Sequence, residues 1–137
     1  MIWRILICWF LLTSPCWSAI TNTILTGDAS TTDGTSCTTA SITPTGSVLV
    51  LAAITNTKAT APDTPTLSGN GVTYVQIATG VVDNAETRIT LFRGMVASPT
   101  AGAVTIDFAG ATQTGCAWAI SELASGDTTG TNGSGAV

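Results

Sequence analysis

The stretch from Thr87 to Leu123 contains three strand-like runs, TRITLFRGMVA, GAVTIDFA and GCAWAISEL, parted by SPTAG and GATQT. In the middle run Val104, Ile106 and Phe108 alternate with Ala103, Thr105 and Asp107. A period of two is what a strand shows when one face is buried and the other is wet. Cys116, Trp118 and Ile120 repeat the pattern in the third run and should face inward. The gaps read as turns, so the stretch predicts a meander in which each strand pairs with the next.

Charged residues make up only 9% of the chain, against the usual quarter. Thr, Ala, Gly and Ser take their place, which favours pleated strands and tight turns over helices. The reading is all-β: an antiparallel β-sandwich, immunoglobulin-like or jelly-roll-like, in a single domain of residues 19–137. No histidine occurs anywhere, and no catalytic constellation is visible on the strands.

Residues 1–18 carry one cation, Arg4, then the apolar run ILICWFLLTS, then Pro15 and the small residues Cys16 and Ser18. That order is the grammar of a signal peptide cleaved after Ser18. The run is about ten residues, half of what a membrane-spanning helix needs. An uncleaved N-terminal anchor is the alternative. The expected address is secreted or cell surface, with no membrane span once the signal is removed. Of the basic residues, Lys58, Arg88 and Arg93 then remain against eight acids, a charge of −5. Without a basic stripe there is no footprint for phosphate backbones, so nucleic acid is not an expected partner.

Signal removal also takes Cys8 and Cys16, leaving Cys37 and Cys116 in an oxidising compartment. A disulfide between them would close a loop of nearly 80 residues and stabilise by roughly 4 kcal/mol. Two buried free thiols are the competing reading. Two cysteines without histidine make a poor zinc site.

Along the mature chain, AITNTILTG reads as an edge or entry strand, and Ser36–Thr43 as a strand carrying Cys37 and Ile42. SVLVLAAIT, apolar on both parities, reads as a central strand covered on both faces. Pro62 and Pro65 make the segment around Lys58 a loop or an edge. Ser68-Gly69-Asn70-Gly71 offers positive-φ residues and predicts a hairpin before VTYVQIATGVV. In the run from Thr87, Ile89, Leu91, Arg93 and Met95 oppose Arg88, Thr90, Phe92 and Gly94. Each set carries a charge, which leaves the inner face open. After Leu123 the Gly- and Ser-rich segment 124–137 ends on Ala136-Val137, as if the C-terminus were truncated and further strands followed.

The order SGNGVTY, RITLFRGMVASPTAGAVTIDFAG and CAWAISELASGDTTGTNGS resembles a largely uncharacterised β-sandwich domain family recurring in exported bacterial and phage-associated proteins. The resemblance covers Ser47 onward and implies a sandwich with additional strands, but no catalytic residues. An immunoglobulin domain places its tryptophan between the two bridging cysteines, whereas Trp118 follows Cys116.

The candidate sites are few. Asp107 and Glu122, expected on neighbouring strands, are the carboxylates a glycoside hydrolase would need about 5–10 Å apart; as outward-facing charges they would only keep the sheet soluble. Lys58 lacks a nucleophile motif beside it. Asp127, Asn132 and Asp28 could ligate calcium through loop oxygens, or simply shape turns. Tyr74 is the credible surface platform for a sugar ring, with packing as its other use. The expected role is a non-catalytic structural or adhesive module of a secreted, cell-surface or phage-particle protein, free of cofactors. Its expected partner is a surface glycan or another protein subunit. A carbohydrate-binding module is the first alternative and a carboxylate hydrolase the second.

Overall fold

The computed structural model describes residues 19–136, so segment 1–18, expected to be a signal peptide, lies outside the described residues. Eight strands are present among them: β1 (Thr21–Ser30), β2 (Ser36–Thr38), β3 (Leu49–Thr57), β4 (Thr66–Ser68), β5 (Val75–Val82), β6 (Thr87–Gly94), β7 (Thr105–Asp107) and β8 (Gly115–Ala124). They form a five-stranded sheet, β1-β8-β3-β6-β5, packed on a three-stranded sheet, β2-β7-β4. Every strand pairing is antiparallel. The chain is an all-β sandwich, as its alternation predicts.

The expected meander does not form. β6 pairs with β3 and β5, β8 pairs with β1 and β3, and β7 crosses to the other sheet between β2 and β4. Alternation fixes which side of a strand is wet but not the partner it chooses. The SGNG segment is likewise no hairpin. Asn70 (φ 56°) and Gly71 (φ 68°) carry the chain from β4, in the small sheet, to β5, in the large one. The Asn70 side-chain nitrogen points at the carbonyls of Ile42, Thr100 and Gly102 at 3.2, 2.9 and 2.9 Å, clamping the crossing. Beyond it the chain passes over Gly94, where a Cβ would stand 2.5 Å from Val72 Cγ1, so only glycine fits.

Between the sheets lie Val50, Ala52 and Ile54 of β3, Phe92 of β6, Cys116, Trp118 and Ile120 of β8, and Ile106 of β7, together with Ile42, Val104 and Phe108. Apart from Leu49 at its start, only one parity of β3 is buried. Leu51, Ala53 and Thr55 face the opposite way and are partly open, so the strand is central but not covered on both faces. On β6 the less apolar set turns inward: Thr90 is 0% and Phe92 4% exposed, whereas Ile89 and Leu91 remain 41% and 39% exposed. Register explains this choice, since Phe92 sits opposite Ala52 and Thr90 opposite Ile54, both inner residues.

β1 and β5 are the edges of the large sheet, and each carries a bulge, at Ile24/Thr26 and Gln76/Ala78. Edge bulges twist the open row of backbone groups away from a would-be partner strand. After β8 the segment 125–136 folds back through a 3-10 turn at Thr131–Gly133, and Gly133 (φ 73°) packs against Leu49 and Met95. The Gly/Ser-rich loop is therefore docked on the sandwich, and its Gly133 contact covers Leu49, which is 1% exposed.

Candidate functional site

Two surfaces of the sandwich carry distinctive chemistry. The first is the end of the sandwich where β3 leaves and β6 enters. Here a buried polar knot replaces apolar core. Asn56 Nδ2 donates to Gln113 Oε1 at 2.8 Å and to the Asp63 carbonyl at 2.9 Å. Gln113 Nε2 donates to Asp63 Oδ2 at 2.9 Å, and Lys58 Nζ pairs with the same oxygen at 2.8 Å. Arg88 Nε donates to the carbonyl of buried Pro62 at 2.6 Å. The hydrogen bonds from Lys58 and then Gln113 hold the Asp63 carboxyl below the usual carboxylate range.

Beside the knot opens a cleft of about 330 Å³ lined by Thr57, Lys58, Asp83, Glu86, Thr87 and Thr114. The Thr57 and Thr114 hydroxyls lie 3.1 Å apart, and Thr114 Oγ1 donates to the Thr57 carbonyl. Hydroxyls, one ammonium and two carboxylates can hold a polar ligand. They do not make a nucleophile–base pair, because Lys58 is tied to Asp63 and the chain has no histidine.

The second surface is the outer face of the five-stranded sheet. Residues paired across antiparallel strands share a face, so Ile24 and Gly27 (β1), Ala119 and Ser121 (β8), Leu51 and Ala53 (β3) and Ile89 and Leu91 (β6) all look outward. Ile77, at the β5 bulge, lines a shallow depression of about 230 Å³ with Leu51, Ala53, Leu91 and Ala119. Ile24 is 73% exposed. Arg93, opposite Leu51, is the single charged residue of the five strands that shares this face. Small and apolar residues thus give it a flat, nearly uncharged surface.

The residues singled out from the sequence fall differently. Tyr74 packs against the core with its hydroxyl enclosed, and burial pushes its pKa up to about 12. Its ring is half-buried against the core rather than laid open for stacking. Asp28 sits on β1 opposite Trp118, whereas Asp127 and Asn132 lie in the segment that follows β8. Asp127 instead accepts the Thr129 backbone N–H at 2.8 Å, which holds its carboxyl below the usual range. Asn132 (φ 52°) shapes the 3-10 turn. Among the described residues no three His, Cys, Asp or Glu side chains cluster as a metal site would need.

Asp107 and Glu122 stand in different sheets rather than on neighbouring strands. Asp107 follows Ile106, which faces Cys37, and Cys37 packs against the core that contains Cys116, six strand steps from Glu122. The separation along the strand is roughly 20 Å, too far for a carboxylate pair. Glu122 accepts the Thr45 N–H and hydroxyl, both at 2.9 Å, and Asp107 accepts the Ala109 N–H at 3.0 Å. Cys37 and Cys116 are free thiols, Cys116 within the core between the layers and Cys37 packed against it. Burial, then the hydrogen bond with Cys37, push the Cys116 thiol up.

No protein-family model, no curated protein and no solved structure matches this chain. Its reading rests on its own surfaces. The polar knot had no local signature in the sequence. The outward apolar face was partly signalled by β3, whose two parities are both apolar.

Proposed function

We propose that the protein is a non-catalytic, exported β-sandwich that serves as a structural or adhesive subunit, associating with further copies through the outer face of its five-stranded sheet. The observation that carries this reading is the orientation of β6: Ile89 and Leu91 are spent on the surface beside Leu51 and Ile77. Isolated exposed apolar residues are ordinary, but a contiguous patch of them marks an interaction surface. Five strands at roughly 4.8 Å and about eight residues at roughly 3.3 Å make a face of about 24 by 26 Å. Two such faces in contact would bury roughly 1,200 Å², the lower end of specific protein interfaces.

Several features agree. The face is nearly free of charge, so the net negative charge of the chain does not set two copies against each other there. The bulged edges disfavour strand-to-strand addition, which leaves the face as the route of association. The reading of export rests on the residue order of segment 1–18, one cation followed by a short apolar run and small residues. Sedimentation velocity tests the reading: the protein should self-associate with rising concentration, and Leu91→Lys with Ile77→Lys should leave a folded monomer. A wild-type protein that stays monomeric at every concentration overturns it. The cleft beside Lys58 favours glycan binding as a second reading, and a glycan array silent for the wild type would dismiss it.

A further inference from the structure

We infer that Cys37 and Cys116 form an inter-sheet disulfide that locks the two layers of the sandwich together. Cys37 lies on β2 opposite Ile106, and Cys116 lies on β8 opposite Asn56. Ile106 and Asn56 are both fully buried, so the two cysteines point into the space between the sheets. Cys116 belongs to the core between the sheets, and Cys37 packs against that core. The corner where they meet is tight because Gly34 and Gln113, each three residues upstream of a cysteine, exchange backbone hydrogen bonds of 3.0 and 2.9 Å. The sheets are thus tied beside the sulfurs before any covalent bond is made.

The two thiols also differ in access. Cys37 is partly open and Cys116 is 4% exposed. Oxidation therefore begins at Cys37. Its thiolate attacks one sulfur of an external disulfide, such as glutathione disulfide, and expels one thiolate, which takes up a proton. Cys116 then gives up its proton and attacks the Cys37 sulfur, expelling the second. Two protein thiols become one disulfide, and the external disulfide is reduced to two thiols. Nothing in this step depends on the outer sheet face, so it stands or falls apart from the proposed association.

The test uses the full chain equilibrated with glutathione disulfide, unfolded in the presence of an alkylating reagent and digested with trypsin. Cleavage after Arg4, Lys58 and Arg93 places Cys37 and Cys116 in separate peptides, 5–58 and 94–137. The expected result is a reducible link between those peptides that survives Cys8→Ser with Cys16→Ser and disappears in Cys37→Ser. Reduction of the wild type should lower its melting temperature by about 10–20 °C, the effect of reopening so long a loop. The inference is overturned by alkylation of both cysteines, by a stable glutathione adduct on Cys37, or by a link from Cys116 to Cys8 or Cys16. Because the link is read on wild-type protein, failure of a variant to fold does not blunt the test.

Discussion

Asn56 and Gln113, 57 residues apart in the chain, share a buried amide–amide hydrogen bond of 2.8 Å between the central strand of the large sheet and the turn entering β8. Gln113 uses both ends of its amide, because its oxygen also accepts the Asp63 N–H and its nitrogen reaches Asp63 Oδ2 and the Ala111 carbonyl. Gln113→Ala would strand these partners in a buried site and should destabilise by about 2–4 kcal/mol. Urea unfolding monitored by tryptophan fluorescence would measure it; a loss under about 0.5 kcal/mol would show that the knot is not structural.

Asp63 gives this corner a pH dependence. Its folded-state pKa is lowered from 3.8, so its contribution is present above that value and is lost as pH falls below it, through the lowered folded-state value. Asp63→Asn should flatten the acid side of the stability profile between those two values. An unchanged acid limb would argue against the Lys58 and Gln113 bonds as its cause.

Tyr74, the sole tyrosine, has a raised pKa of about 12. Stability should decline as pH climbs above 10, where the unfolded phenol ionises first, and go on declining until the folded one follows near 12. Ultraviolet difference absorbance of tyrosinate reports this group alone. A midpoint at the ordinary value would place the ring on the surface and revive it as a platform for sugars.

The neighbours Leu91 and Phe92 test the orientation of β6. Phe92→Ala removes a side chain only 4% exposed and should cost about 3–5 kcal/mol. Leu91→Ala should cost well under 1 kcal/mol in dilute monomer, since Leu91 faces outward. Equal losses in guanidinium titrations would mean that the strand is turned over.

Asn70→Ala removes the amide directed at three carbonyls and puts alanine at a φ of 56°. The combined loss should be about 2–3 kcal/mol. Asn70→Gly relieves the backbone but not the carbonyls, so it should recover only part of the stability. Full recovery would assign the whole effect to the backbone.

Much of the fold was legible where alternation was clean. Val104, Ile106, Phe108, Trp118 and Ile120 are buried as their spacing predicts, and β1 is an edge. The pairing was not legible. The short β7 belongs to a different sheet from the strands on either side of it, and nothing local to Thr105–Asp107 says so. The β6 parity was ambiguous because its inner face is decided by Ala52 and Ile54, more than thirty residues away. The candidate surfaces were harder still, since Gln113 sits in a polar turn and meets Asn56 only after both sheets are assembled.

The pairing of β1 with β8 sets Thr21 against Ala124 and Ser30 against Cys116. The chain therefore enters β1 and leaves β8 at the same end of the sheet. Tension applied to residues 21 and 124 would load their hydrogen bonds one rung at a time, like a zipper, instead of sharing the load along the whole ladder. Mechanical toughness in such a domain must come from whatever lies further down the ladder or crosses between its layers.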